Sequence, residues 1–143
     1  MKDRHRLARI IRVKKRIRDA HRVELAMATR ALAEAQNAMT EAASERSAAI
    51  VALTQPVERG AGDLALRAGI VAIAGETMAS AQRLVADKRR MQLAKRESLD
   101  SAHRALRALE VLDDRLARQH ARTRQQHDQM ASDEAAARIC RMR

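Results

Sequence analysis

Five histidines, one cysteine and two pairs of adjacent acids are the residues whose chemistry could make this chain more than a scaffold. A metal centre or a general acid–base pair needs such groups gathered at one place. His120 and His127 fall seven residues apart on one helix face, too far for joint chelation without further ligands, and His5, His21 and His103 are isolated. Cys140 has no second cysteine, which excludes a disulfide framework and a Cys-based zinc site. Asp113–Asp114 and Asp133–Glu134 are sequence neighbours, so on a helix they point about 100° apart and make poor acid–base partners. No glycine precedes a Lys-Ser or Lys-Thr pair, so there is no phosphate-cradling loop. No catalytic residue, cofactor site or metal site is expected, and the chain reads as a non-enzymatic protein.

The elements that carry these residues follow from composition. The 143 residues contain no Phe, Tyr or Trp, whereas alanine supplies 31 and leucine 13. Aromatics normally dominate core energetics, and alanine buries little surface but is the best helix former. With 33% of residues charged, this composition points to long helices or a coiled coil. Runs of β-branched residues bounded by turns are absent, so strands are not expected. The only proline, Pro56, and all four glycines, Gly60, Gly62, Gly69 and Gly75, lie within residues 53–76.

Apolar spacing sets the architecture. Leu25, Ala28, Leu32, Ala35, Met39, Ala42, Ala49 and Leu53 keep an alternating 3–4 spacing, interrupted only by Arg46. Two such residues per heptad make the narrow seam of a coiled coil. Upstream, Leu7, Ile10, Val13, Ile17 and Ala20 keep helical spacing in a shifted phase, which predicts a local stutter. Gln55 precedes Pro56 and should leave the helix, Gly60 and Gly62 supply left-handed freedom, and Asp63 is placed to cap a second helix and pair with Arg67. Beyond the bend, Met78, Ala81, Leu84, Met91, Leu99, Ala102, Leu106, Leu109 and Leu116 continue a seam, broken near Lys88 and Lys95. The expectation is an all-α fold: two long helices forming a single antiparallel coiled-coil hairpin over 1–143. Helix 1 is expected at about 4–54, the loop at about 55–62 and helix 2 at about 63–140, with a polar tail over 119–143.

Charge is segregated along the chain. Residues 1–22 carry a net +8, residues 23–82 a net −3 and residues 83–143 a net +6. A hairpin brings the two basic ends together, and a basic pole suits an acidic or phosphate-bearing partner. The longest uncharged stretches, "SAAIVALTQPV" and "AGIVAIAG", are too short to span a bilayer, and no apolar block follows the basic start as a secretory signal requires. A cytoplasmic protein is the expectation.

Three stretches carry a resemblance. "RLARIIRVKKR" at 6–16, "LRALEVLDDR" at 106–115 and "DEAAARICR" at 133–141 resemble the FliJ/YscO-like family of flagellar and type III secretion export proteins, and hairpin size and loop position agree with that family. The resemblance implies an antiparallel coiled coil similar to the central stalk of rotary ATPases. Its terminal end would enter a hexameric export ATPase and promote its assembly or activity. Another part would contact the export gate membrane protein, and export chaperones would be further partners. On this chain the ATPase-binding residues would be Arg4, Arg6, Arg9, Arg12, Lys14, Lys15, Arg16, Arg18, Arg138, Arg141 and Arg143. The gate-binding residues would be Leu66, Ile70 and Ile73, in a region where relatives often carry an aromatic residue that this chain lacks. The implied location is the cytoplasm, peripheral to the inner-membrane export apparatus.

Other readings stay open at this stage. The basic residues also fit a solvated helix face, and Leu66, Ile70 and Ile73 fit a continuation of the seam. A generic coiled-coil adaptor has the same pattern. A pI near 11.3 is also the footprint of nucleic-acid binding, but no aromatic stacking group or known DNA-binding motif accompanies it, so no specific nucleic acid is expected. Residues 4–18 also fit a helix lying on a membrane surface, with Arg-rich and Leu/Ile faces.

Overall fold

In a computed structural model the chain is all-α, with α1 at Lys2–Thr54 and α2 at Ala61–Arg141. The structure describes the backbone of residues 2–56 and 60–141 and the side chains of residues 5–56 and 60–138. The side chains of Asp3, Arg4, Cys140 and Arg141, and the whole of Arg143, lie outside the described residues. The two long helices pack against each other as an antiparallel hairpin.

The bend is built by the residues that should break a helix. Thr54 ends α1 with its Oγ1 donating to the Val51 carbonyl at 2.8 Å, and Gln55 and Pro56 leave helical geometry. Gly60 has φ +87°, a conformation that L side chains rarely adopt, and no other described residue has positive φ. The Asp63 amide donates to the Gly60 carbonyl at 3.3 Å, and its carboxylate holds Arg67 at 2.8 Å. Arg67 then reaches back, donating from Nη1 to the carbonyls of Ala52 at 2.8 Å and Gln55 at 3.3 Å. The last carbonyls of α1 lack intrahelical donors, so this one guanidinium fastens the start of α2 to the end of α1. Gly62 lies inside α2 rather than in the turn.

The chain divides into two compact units, residues 20–100 and residues 1–19 with 101–143. In the first, Leu32, Ala35 and Ala42 are buried, with Leu25, Ala28, Met39, Ala49 and Leu53 half-buried and Arg46 exposed. That is the expected α1 seam. Facing it, α2 presents Val71, Ala74, Met78, Ala81 and Val85, then Lys88, Gln92 and Lys95, then Leu99, all half-buried. Leu84 and Met91, expected in the seam, are 45% and 53% exposed. The spacing of the packed residues stays 3–4 throughout, so Val85 and Gln92 take those places. The cross-helix contacts there are polar. Lys95 Nζ donates to Glu24 Oε2 at 2.9 Å, and Gln92 Nε2 donates to Thr29 Oγ1 at 3.1 Å.

In the other unit, Leu7, Ile11 and Leu106 are buried and Leu109 and Leu116 pack against them. Here the expected phase is corrected. Ile10, Val13 and Ile17 are 41%, 51% and 39% exposed, while Ile11, Lys14 and Arg18 turn inward. There is no stutter: positions 7, 11, 14 and 18 keep the 3–4 rhythm that His21 and Leu25 continue. Long basic side chains at such positions lay their methylene stems along the seam and hold the charge at its rim. From residue 118 to residue 138 the side chains of α2 are exposed throughout. By length and composition, α2 also contains one window apolar enough to cross a membrane, although the uncharged stretches read singly are too short.

Candidate functional site

Positive charge concentrates in one unit. Residues 1–19 with 101–143 carry 18 Lys/Arg against eight Asp/Glu, a net +10, whereas residues 20–100 carry a net +1. Within the basic unit, α1 exposes Ile10, Val13 and Ile17 on consecutive turns. Arg9, Arg12 and Arg16 border Val13 in a shallow groove of about 300 Å³. None of these three arginines makes an ion pair or hydrogen bond among the described residues, so three guanidinium groups face solvent beside uncovered apolar side chains.

The other basic residues named from sequence separate by role. Arg6 is exposed alongside the three arginines. Lys14 and Arg18 turn toward the seam, and Arg18 also binds Asp19 at 2.7 Å. Lys15 pairs with Glu110 on α2 at 3.4 Å. Arg138 pairs with Glu134 at 3.9 Å and lies far along the exposed stretch of α2, so it is not gathered with Arg9, Arg12 and Arg16. Arg4, Arg141 and Arg143 lie outside the described side chains.

The sequence leaves His5 isolated, and the fold brings it to His120 and His127. His5 of α1 lines a groove of about 540 Å³ with His120, Arg124 and His127 of α2. The groove opens where the seam positions of α2 continue past the start of α1, which a sequence repeat alone does not reveal. Among the described residues, no three His, Cys, Asp or Glu side chains are grouped so as to hold a metal ion. In the other unit, Leu66, Ile70 and Ile73 are 65%, 49% and 66% exposed, and the two isoleucines line a groove of about 280 Å³ with Glu45, Ala49 and Thr77.

One carboxylate has a displaced titration. Glu24 accepts a hydrogen bond from Lys95, and this bond, with the nearby His21 and the Lys95 charge, holds its carboxyl below the usual glutamate range, while burial opposes the shift. His21 Nδ1 lies 3.5 Å from the same oxygen. The cluster locks α1 to α2 at a polar point of the seam. No family model, curated protein or solved structure matches this chain.

Proposed function

We propose that this chain is a non-enzymatic coiled-coil component of a flagellar or type III protein-export system. It docks the basic face of α1 on the hexameric export ATPase and promotes that enzyme's assembly or activity. One observation carries the proposal: Ile10, Val13 and Ile17 are exposed beside three arginines that have no partner among the described residues. Solvated faces of coiled coils normally carry charges of both signs and few large apolar groups. An interface core instead combines apolar anchors with arginine, whose planar fork matches carboxylates in a bidentate way. An acidic, partly apolar protein groove satisfies both features. The resemblance of residues 6–16, 106–115 and 133–141 to the export family supplies the identity of that partner. Coupling to the export gate and escort of export chaperones belong to the same proposal.

The test is reconstitution with the purified export ATPase of the same organism. The chain is expected to co-sediment with the ATPase, to raise its hexamer fraction and to increase ATP turnover. Absence of a complex together with unchanged oligomer and turnover contradicts the proposal.

A further inference from the structure

Besides the seam that faces α1, α2 carries a second stripe of the same rhythm one residue earlier. Leu66, Ile70, Ile73, Leu84 and Met91 are 45% to 66% exposed, and Thr77, Ser80 and Asp87 fill the intervening places. Every step along this stripe is three or four residues, as a helix seam requires. Glu45 and Ala49 of α1 border it along one groove at Ile70, Ile73 and Thr77, and these side chains stay exposed.

We infer that this face of α2 binds a second copy of the chain, antiparallel, about a two-fold axis near residues 78 and 79. A two-fold interface must be self-complementary, because one patch meets itself. The stripe has that symmetry when reversed on itself. Leu66 falls opposite Met91, Ile73 opposite Leu84, and Thr77 opposite Ser80, so apolar meets apolar and small polar meets small polar. Ile70 against Asp87 is the one mismatched pairing, and the two-fold repeats it on both sides of the axis. The central hydroxyls do not oppose burial, since Thr77 Oγ1 already donates to the Ile73 carbonyl at 3.0 Å and Ser80 Oγ to the Thr77 carbonyl at 2.8 Å.

Charge selects the same direction. Residues 63–78 carry a net −1 and residues 79–94 a net +3, so antiparallel pairing sets unlike segments together where parallel pairing sets +3 against +3. On the flank of the stripe, exposed and unpaired Glu76 of one copy falls near Arg83 of the other, and symmetry makes this contact twice. Gly69 lies on the same flank, and a Cβ built there meets nothing within 4 Å inside the chain, which leaves space for a close approach. The inference is independent of the export proposal, except that a dimer here and a gate contact through Leu66, Ile70 and Ile73 exclude each other.

Sedimentation of the full chain across the micromolar range tests this, with helicity followed by circular dichroism. The wild-type chain is expected to shift from monomer to dimer as concentration rises. The Ile73→Glu, Leu84→Glu double variant is expected to raise the dissociation constant at least about a hundredfold, since it places charge at four sites of the interface core. If that variant loses helicity, Leu66→Glu with Met91→Glu is read instead. Direction is tested by disulfide trapping in a Cys140→Ser background. Ile73→Cys mixed with Leu84→Cys should give at least about tenfold more cross-linked dimer than Ile73→Cys alone, because antiparallel layering brings only the mixed pair into bonding range. A chain monomeric at all concentrations, a dimer untouched by the glutamates, or preferential 73-to-73 trapping overturns the inference.

Discussion

Replacing Ile11 and its neighbour Ile10 by alanine separates the packed face of α1 from its open face. Both substitutions remove three carbons from the same helical turn and gain the same helix propensity, about 0.4 kcal/mol in favour of alanine. Ile11 is 9% exposed and sits in the cluster of Leu7 and Leu106, whereas Ile10 is 41% exposed. At about 0.8 kcal/mol per buried carbon, Ile11→Ala loses about 2.4 kcal/mol, and incomplete collapse of the cavity adds to that. The net expectation is a loss of about 2–3 kcal/mol. Ile10 lies outside that cluster and keeps a large part of its surface in water, so Ile10→Ala should cost no more than about 1 kcal/mol. Leu106→Ala, at 2% exposure, should match or exceed Ile11→Ala. The two should also be non-additive when combined, because they share one cluster. Urea unfolding followed by circular dichroism at 222 nm measures all four variants at one protein concentration. A larger loss for Ile10→Ala than for Ile11→Ala would refute the assigned register of α1.

Three further outcomes follow from the bend, the polar seam and the charge. Gly60→Ala should cost about 1 kcal/mol because its φ of +87° strains any L side chain. Gly75→Ala should gain about 1 kcal/mol, since that glycine is helical and a Cβ there meets nothing within 4 Å; denaturant midpoints for the pair check both signs. The Glu24 carboxyl should titrate below the usual glutamate range in carbon NMR and move up in Lys95→Met. Its contribution to stability is present above the ordinary glutamate range and disappears as pH falls through its lowered pKa. Duplex DNA should bind weakly and without sequence preference at low salt and lose most affinity at physiological salt, as gel shifts across a salt series will show.

The hairpin itself was legible because helix breakers are so few. Pro56 and Gly60 mark the bend, Asp63–Arg67 forms as its spacing suggests, and the seam from Leu25 to Leu53 packs as read, with Arg46 outside it. Two stretches were misassigned for one shared reason. Searching for apolar residues favours Ile10, Val13 and Ile17 over Ile11, Lys14 and Arg18, and favours Leu84 and Met91 over Val85 and Gln92. The helices instead keep one uninterrupted register and accept Lys, Arg and Gln in the seam, because long side chains snorkel and Lys95 and Gln92 find partners on α1. Extending the 3–4 spacing backward from Leu25 gives positions 21, 18, 14, 11 and 7, so the signal was present in the numbering. The concentration of basic charge near the start of α1 was equally legible. Its division into unpaired arginines and seam-facing or ion-paired residues depends on the register, and Arg138 separates from the group because α2 extends beyond α1.

Charge reversal at two places most directly tests docking through the basic face of α1. Arg9, Arg12 and Arg16 are replaced together by Glu in one variant, and the exposed Arg46, Arg89 and Arg96 in another. Each changes the net charge by six, and neither set includes a residue turned into the seam, so both variants should remain helical. Binding to the purified export ATPase and stimulation of its turnover are then measured at physiological salt, where unspecific attraction between distant charges is screened. The account predicts that the first variant loses binding and stimulation and the second keeps both. Equal losses in the two variants, or full activity in the first, would contradict it.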